Sequence, residues 1–369
     1  MFDYVSKFAD KVRCVYMKKL VILGGGYGGF QILQTLLNKQ LPRDVQITVI
    51  DRNPYHCLKT EFYALAAGTV SDKQVRMTFP KHDQVDYVWG EVLKIDSDKD
   101  EIVMTDSTDA IPYDYLVIGL GCEDNYHNVE GAEQYSESVQ TISKARRAAL
   151  AVNELKSNQH VAVIGAGLSG VEVASEIRES RPDLNISLYD RGKAVLSPFA
   201  PKVQQYVEKW FKENDVNIIH QANIEYLEQG AICNNGVCTL TDVTLWTAGV
   251  RPNRLVRELP YEKDRYEKIV VNNFHQVPEK PSVYVVGDCA SSTFSPSGQL
   301  AQHQGEQIAD ILHDIFSGRE PKAPGEIKLR GTLGSLGKND GFGNMFEKSF
   351  TGLLPRLAKS GVLWLHKRH

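Results

Sequence analysis

Short apolar runs that end in glycine or in an acid recur along the chain. Lys19-Leu20-Val21-Ile22-Leu23 is the first run, and it leads into the glycine-rich segment 24–29 and a helical pattern through Leu37. A second run, residues 46–50, ends in Asp51. Apolar runs of about four to eight residues bounded by turn signals are typical of buried strands. The order therefore predicts strand, glycine turn, helix and strand, which is an α/β arrangement.

The spacing of the glycines gives this unit a chemical meaning. Gly24, Gly26 and Gly29 fit the pattern G-x-G-x-x-G. In that pattern the glycines allow a tight turn and let the backbone approach a pyrophosphate at the helix N-terminus. An acid at the end of the second strand, where Asp51 stands, holds a ribose hydroxyl in such units. We therefore predict a dinucleotide site, and a glycine turn without a ligand is the alternative.

The whole unit occurs a second time. The apolar run 160–164 is followed by a helical pattern through Ile177, and the run 185–189 ends in Asp190. The glycines with the same spacing are Gly165, Gly167 and Gly170. A single glycine motif is weak evidence, but two complete units in one chain predict two bound dinucleotides.

Three more apolar runs, residues 113–118, 243–248 and 282–286, also end in glycine turns. The glycines of these turns are Gly119, Gly121, Gly249 and Gly287. The first two runs are typical of crossovers between domains. The third is followed by Asp288, which places a carboxylate where the ribityl hydroxyls of a flavin could be bonded.

Composition changes this picture only at the C-terminal end. The 369-residue chain has 42% hydrophobic and 24% charged residues and a net charge of -4, so nothing in its overall charge favours nucleic acid. From Asn344 onward, however, the chain carries about +4 and the remainder about -8. Large apolar residues recur at helical spacing among these basic ones, namely Phe350, Leu353, Leu354, Leu357, Trp364 and Leu365.

This tail, within residues 327–369, is typical of an amphipathic module. Pro355 and Gly361 should divide it into two short helices. It could pack on the protein's own core, join two copies in a homodimer, or lie in a membrane interface. We favour the membrane, because large apolar side chains contribute roughly 1.5–3 kcal/mol each there and basic residues about 1 kcal/mol each on an anionic leaflet.

The six cysteines are scattered without the density of a disulfide framework, which suits a reducing compartment. Cys233 and Cys238 flank Asn-Asn-Gly, a hairpin signal, and we expect no redox role for them. Cys57 follows Asp51 closely, so a single-thiol mechanism stays open beside an ordinary buried cysteine. Residues 1–16 form an N-terminal extension without the apolar core of a signal peptide, and we expect a cytoplasmic body without a membrane span.

Over roughly residues 17–320 the sequence resembles the two-dinucleotide-binding-domain flavoproteins. The resemblance implies two Rossmann-like domains: an FAD-binding domain, residues 17–125 and 251–326, and an NADH-binding domain, residues 126–250, inserted into it. It implies that FAD is held non-covalently by Gly24, Gly26, Gly29, Asp51 and Asp288, and that NADH is held by Gly165, Gly167, Gly170 and Asp190. Further cofactor-binding residues would be Tyr27, Gly28, Arg52, Gly119, Gly121, Gly249 and Gly287. No metal is expected.

Asp190 favours NADH over NADPH, because its carboxylate would repel a 2′-phosphate. Arg191 and Lys193 are adjacent, so NADPH stays open.

Within that group the sequence is similar to the type II NADH dehydrogenases, which are single-subunit NADH:quinone oxidoreductases. Their signature Ala-Gln-x-x-x-x-Gln is matched by Gly298-Gln299 with Gln304, with glycine in place of alanine, or literally by Ala301-Gln302 with Gln307. Segments 51–56 and 115–125 are also similar. Lys59-Thr60-Glu61-Phe62 departs from the proline-leucine pattern that is commoner in that family.

The resemblance implies a peripheral enzyme on the cytoplasmic face of the cell membrane that passes electrons from NADH through FAD to menaquinone or ubiquinone without pumping protons. Glu172, Gln299 and Gln304 would be catalytic, and Gln302 would join the two glutamines at the quinone. Glu172 would bond the nicotinamide amide or relay a proton. The alternatives are a soluble acceptor, such as a disulfide, a ferredoxin-like protein or sulfide, and a redox-sensing flavoprotein with negligible turnover.

Overall fold

The computed structural model describes residues 16–345 and 348–368, and it describes side chains as far as residue 361. The helices, in chain order, are α1 (Tyr27–Asn38), α2 (Phe62–Ala66), α3 (Ala132–Tyr135), α4 (Ile142–Glu154), α5 (Leu168–Ser180), α6 (Pro201–Glu213), α7 (Arg254–Glu258), α8 (Gly298–Phe316) and α9 (Leu353–Arg368). The strands, in chain order, are β1 (Lys18–Leu23), β2 (Val45–Asp51), β3 (His56–Cys57), β4 (Arg76–Met77), β5 (Val85–Trp89), β6 (Val92–Asp96), β7 (Glu101–Met104), β8 (Ile111–Pro112), β9 (Tyr115–Ile118), β10 (Cys122–Asp124), β11 (Glu137–Ser138), β12 (His160–Ile164), β13 (Asn185–Tyr189), β14 (Val216–Ile219), β15 (Ile224–Glu228), β16 (Ala231–Asn234), β17 (Val237–Leu240), β18 (Val243–Trp246), β19 (Val250–Pro252), β20 (Gln276–Val277), β21 (Lys280–Val285), β22 (Gly331–Leu336), β23 (Asp340–Met345) and β24 (Lys348–Gly352).

The first predicted unit lies in a six-stranded sheet with the order β20-β21-β9-β1-β2-β5. Strand β1 pairs in parallel with β2 and with β9, and β21 pairs in parallel with β9. Leu20 and Ile22 of β1 are fully buried in a core shared with α1 and α8, whereas Val21 and Leu23 are buried on the opposite face. The carboxyl ends of β21, β9 and β1 therefore lie side by side, which is where ligands bind in open α/β sheets.

The second unit forms a five-stranded sheet with the order β11-β18-β12-β13-β14, all of it parallel. It is separated from the first sheet by an antiparallel pair, β10 with β19, formed by the two segments that cross between the sheets. A three-stranded antiparallel sheet, β15-β16-β17, packs beside it.

The hairpin predicted around residues 233–238 is confirmed. Cys233 of β16 lies opposite Cys238 of β17, and the two form a disulfide. The cysteine count alone gave no expectation of this bond, because the pairing depends on the register of one hairpin.

The C-terminal segment forms a meander, β22-β23-β24, followed by α9. Leu336 and Phe342 of this meander are fully buried in the same core as α2, α4 and α5. The expectation of two short helices is wrong. Pro355 lies in the first turn of α9, where its missing N–H costs no helical hydrogen bond, and the helix continues through Gly361. Within the described ranges, no helix combines the length and the apolar character needed to cross a membrane.

Candidate active site

In each unit the glycine turn is hydrogen-bonded to the acid at the end of the next strand. The backbone N–H of Gly25 donates to Asp51 Oδ2 at 2.7 Å, and the backbone N–H of Ala166 donates to Asp190 Oδ2 at 2.7 Å. The same donor position thus meets the same acceptor atom in both units. Burial raises the pKa of Asp51, although the amides of Asn53 and Gly25 oppose this shift. The second carboxylate oxygen of each acid bonds the loop that follows it.

The middle glycine of each turn faces open space. A Cβ atom placed on Gly26 or on Gly167 would have no neighbouring atom within 4 Å. A Cβ on the last glycine would instead collide with the first turn residue, Gly29 with the carbonyl oxygen of Gly24 and Gly170 with that of Gly165. The last glycines therefore serve close helix packing, and the middle glycines leave room for a pyrophosphate. Both turns fit a dinucleotide by this test.

Residues from three distant segments meet at the carboxyl ends of β1, β9 and β21. Gly24, with φ of +94°, lies against the carbonyl of Gly119, and a Cβ there would collide with it. Gly121 and Gly287 also have positive φ, at +66° and +71°, and they turn their strands away from the sheet. Asp288 follows directly, so the structure brings the predicted FAD-binding residues of the three segments into one cleft.

The glutamines of the predicted quinone site differ in burial and in hydrogen-bond partners. Gln304 is 3% exposed, and its Oε1 accepts a hydrogen bond from the backbone N–H of Gly287 at 2.8 Å. Gln299 Oε1 accepts from the backbone N–H of Arg330 at 3.2 Å. Gln302 is half-buried on the same helix, and Gln307 contacts His275 and the carbonyl of Gly325. Gln304 therefore supports the turn that carries Asp288.

Tyr27 closes one wall of the cleft. Its hydroxyl lies 2.8 Å from Thr60 Oγ1, and burial raises the pKa of Tyr27 to about 12. A Cβ on Gly298, at the start of α8, would lie 3.1 Å from the Tyr27 ring. Among the remaining predicted residues, Arg52 is exposed, and Gly249 packs against His127, whose Nε2 lies 2.8 Å from the carbonyl oxygen of Ala248.

Glu172 is buried in an ion pair with the C-terminal helix. Its Oε1 accepts from Lys359 Nζ and, at 2.9 Å, from the backbone N–H of Ser335. Lys359 Nζ also donates to the Tyr63 hydroxyl at 3.0 Å, and that hydroxyl lies 2.9 Å from Ser335 Oγ. The side chains of Glu172 and Lys359 are 6% and 12% exposed. This junction of α5, α2 and α9 joins the second unit to the tail.

The charges of the junction keep Lys359 protonated. Burial by itself would lower the pKa of Lys359, but the charge of Glu172, followed by the interactions with Tyr63 and Glu61, outweighs burial and raises it. Burial raises the pKa of Tyr63 to about 12. The pattern of the sequence placed Lys359 among the basic residues of an outward-facing tail, and the structure places it inside.

Cys57 is a half-buried thiol that packs beside the core of the second unit, and burial raises its pKa to about 12. A thiol held protonated is a poor nucleophile, so the geometry gives the single-thiol alternative no support. Cys233 and Cys238 lie in the separate β15-β16-β17 sheet.

Strand β24 and the first turns of α9 present an apolar surface. Phe350, Leu353, Leu354 and Leu357 are 40%, 54%, 74% and 56% exposed. The predicted membrane residues Trp364 and Leu365 lie on the same helix, but their side chains fall outside the described residues.

Sequence reasoning missed some residues of the cleft. Phe79 lies against Gly25 of the first glycine turn, where a Cβ would collide with its ring, and it packs at 5.5 Å on Trp89, the last residue of β5. No sequence motif marks these aromatic residues, because only the register of β2 with β5 brings them beside Asp51. Lys59, at the start of a 3₁₀ turn, contacts Cys122 beside Asp288.

Two glycine cradles on two parallel sheets, joined by paired crossovers, define an α/β oxidoreductase of the two-dinucleotide type. The chain belongs to the pyridine nucleotide-disulphide oxidoreductase family, whose model matches residues 18–307.

Named relatives agree with this assignment. The NADH dehydrogenase-like protein YutJ of Bacillus subtilis strain 168 is 50% identical over 354 residues, which is 96% of this chain and 99% of that protein. A type II NADH:quinone oxidoreductase of Staphylococcus saprophyticus is 29% identical and covers 91% of both chains. The fold is also that of NDH2 from Plasmodium falciparum in complex with NADH, with a TM-score of 0.82 and 16% identity over 95% of this chain and 94% of that chain.

Proposed function

We propose that this protein is a non-proton-pumping NADH:quinone oxidoreductase that uses FAD. The observation that carries the proposal is the Glu172–Lys359 pair, which joins the helix of the second cradle to a helix with an apolar outer face. The name of the Staphylococcus relative supports the same donor and acceptor. The overall reaction would take NADH, a quinone and one proton to NAD⁺ and the quinol.

Each of the two glycine turns would bind one of the two dinucleotides. Gly26 and Asp51 would hold the pyrophosphate and ribose of FAD, and Asp288 would bond its ribityl chain. Gly167 and Asp190 would hold the corresponding groups of NADH. Bound FAD would supply the two-electron chemistry that links NADH to a quinone. The protein's part is to position the two molecules and to exclude water between them.

The quinone needs two protons for every two electrons, and the junction holds groups that could supply them. Lys359 carries three ammonium protons beside Glu172 and the Tyr63 hydroxyl. Because the raised pKa makes Lys359 a weak acid, its part would be to hold the Glu172 carboxylate in place, and Glu172 would relay protons from water to the reduced quinone. On this proposal, proton transfer would take place at the base of the tail, close to a membrane that carries the quinone.

The tail would hold the cleft at the membrane surface. Phe350 of β24 and Leu353, Leu354 and Leu357 of α9 are large apolar residues that are exposed close together in sequence. At roughly 1.5–3 kcal/mol for each fully buried side chain, their partial insertion is enough for reversible peripheral binding. The cytoplasmic face of the cell membrane is the location that this proposal requires.

An anaerobic experiment tests the proposal. The purified protein, loaded with FAD, should bleach when NADH is added and recover its absorbance when a soluble ubiquinone or menaquinone analogue follows. A disulfide and an oxidised ferredoxin serve as competing electron acceptors in the second step, and sulfide replaces NADH as the competing electron donor in the first. Recovery with none of the quinones, or faster turnover with one of these partners, would show that the quinone assignment is wrong.

A matched pair of variants tests the junction. Glu172→Gln keeps the size of the side chain and removes the acid, so bleaching by NADH should proceed normally while reoxidation by quinone slows at least about tenfold, since general acid–base groups contribute roughly 10²–10⁴-fold. Glu179→Gln, two turns further along α5, is the control and should leave both half-reactions unchanged. Equal rates of reoxidation by quinone in the two variants would show that Glu172 takes no part in the reaction.

A further inference from the structure

A lysine reaches the carboxyl ends of the strands that form the first cleft. Lys59 Nζ donates to Cys122 Sγ at 3.2 Å, and Cys122 Sγ donates to Asp288 Oδ2 at 3.0 Å. Cys122 follows the glycine turn after β9, and Asp288 follows the one after β21. A cation, a thiol and a carboxylate from three distant segments thus form a chain across the wall of the cleft.

The position of Lys59 is fixed by its neighbours. It begins the 3₁₀ turn Lys59–Glu61, and the next residue, Thr60, bonds the hydroxyl of Tyr27 from the first turn of α1. The backbone that carries Lys59 is therefore attached to the helix that begins at the first glycine turn.

The charges around Lys59 favour the ammonium form. Burial by itself would lower the pKa of Lys59, but its interactions with Cys122 and Asp288 outweigh burial and raise it. Burial raises the pKa of Cys122 to about 12, so near neutral pH this cysteine is a thiol and not a thiolate. The net charge of the three groups is then close to zero, with the positive end at Lys59.

A fixed positive charge beside a redox cofactor has a defined effect. Adding electrons to a flavin ring makes it more negative, and a nearby cation stabilises that form more than the oxidised one. A protein can set the reduction potential of a flavin in this way without taking part in the reaction, because charge near the ring nitrogens is one of the means by which proteins tune flavins.

We propose that Lys59, held across Cys122 from Asp288, is a positioning residue that raises the reduction potential of the FAD bound in this cleft. This inference rests on the proposal that the cleft binds FAD, and it does not depend on which acceptor takes the electrons.

The test is the midpoint potential of the FAD-loaded protein, measured by anaerobic equilibration with a reference dye. Lys59→Met removes the charge at similar length, and Lys59→Arg keeps it. Lys94→Met, on an exposed strand of the same domain, is the control for the loss of one surface charge. We expect the ratio of reduced to oxidised flavin at a given potential to fall at least about tenfold in Lys59→Met, which is roughly 30 mV for a two-electron couple, and to stay near the wild-type value in the other two variants.

Other results of these measurements would overturn the proposal or contradict only the proposed function. A potential in Lys59→Met equal to that of Lys94→Met would overturn the proposal and leave Lys59 a packing residue. Since the variant could lose FAD, Lys59→Gln is the second neutral variant; if neither neutral variant binds FAD while Lys59→Arg does, Lys59 seats the cofactor and the proposal is wrong. A wild-type protein that binds FAD but reduces no quinone would contradict the proposed function and leave this measurement intact.

Discussion

The buried pair between α5 and α9 makes a quantitative expectation possible. Lys359→Met removes the ammonium and leaves the carboxylate of Glu172, 6% exposed, without its cationic partner. Removing one member of a buried ion pair costs about 3–5 kcal/mol, because the remaining charge stays desolvated. Glu172 keeps the hydrogen bond from the Ser335 amide. We therefore expect a loss near the lower end, about 3 kcal/mol.

The assay is denaturant unfolding followed by tryptophan fluorescence, with Lys348→Met as the control because Lys348 is exposed on β24. The double variant Lys359→Met/Glu172→Gln should be more stable than the sum of the two single losses predicts, since it leaves no unpaired charge. Additive losses, or a loss in Lys359→Met no larger than in Lys348→Met, would refute the claim that the two residues stabilise each other.

The same pair sets a pH dependence with a definite sign. The pKa of Lys359 is raised in the folded protein, mainly by the charge of Glu172 acting against burial. A raised lysine pKa contributes stability that is fully present below its unfolded pKa, about 10.4, and is lost as the pH rises through the folded value. The stability difference between wild type and Lys359→Met should therefore be constant from neutral pH to about pH 10 and shrink above it.

Other expectations separate the roles of single residues. Gly26→Val should abolish FAD uptake without lowering the melting temperature of the FAD-free protein, because its side chain enters open space, whereas Gly29→Ala should lower that melting temperature, because its Cβ collides with the backbone of the glycine turn. Leu354→Glu should reduce co-sedimentation with vesicles at least about tenfold, and Leu150→Glu, on the 62% exposed leucine of α4, should not. Asp190→Asn should lower the ratio of kcat/KM for NADH to that for NADPH, because it removes the charge that repels a 2′-phosphate; an unchanged ratio in steady-state assays would contradict this.

The sequence was informative where a function depends on local spacing. A glycine turn, its helix and an acid at the end of the next strand lie within about 30 residues in such a unit, so their contacts follow from the pattern itself. The bonds from Gly25 to Asp51 and from Ala166 to Asp190 fulfil that pattern in both units. The hairpin at Cys233 and Cys238 was predictable for the same reason, since one turn fixes its register.

The sequence was uninformative where a contact joins distant segments. Glu172 and Lys359 are 187 residues apart, and Lys59 and Cys122 are 63 apart. No periodicity links such pairs, and each depends on how two sheets and a tail pack together. Gln304 shows the same limit within a motif: its spacing marked it as a polar group available to a ligand, but the turn at Gly287 uses its oxygen.

The tail shows how one helix combines two environments. Leu353, Leu354 and Leu357 are exposed, whereas Pro355 is buried and Lys359, four residues later and so on the same face, reaches Glu172. The basic residues between the leucines suggested an electrostatic attraction to lipid, but Lys359 is already neutralised inside the protein. Lys359 should therefore add little to any attraction between the tail and an anionic membrane. If vesicle binding weakens between about 0.05 and 0.5 M salt, the loss should come from the other basic residues of the tail, Lys348, Arg356, Lys367 and Arg368, since salt screens charges and leaves apolar burial almost unaffected.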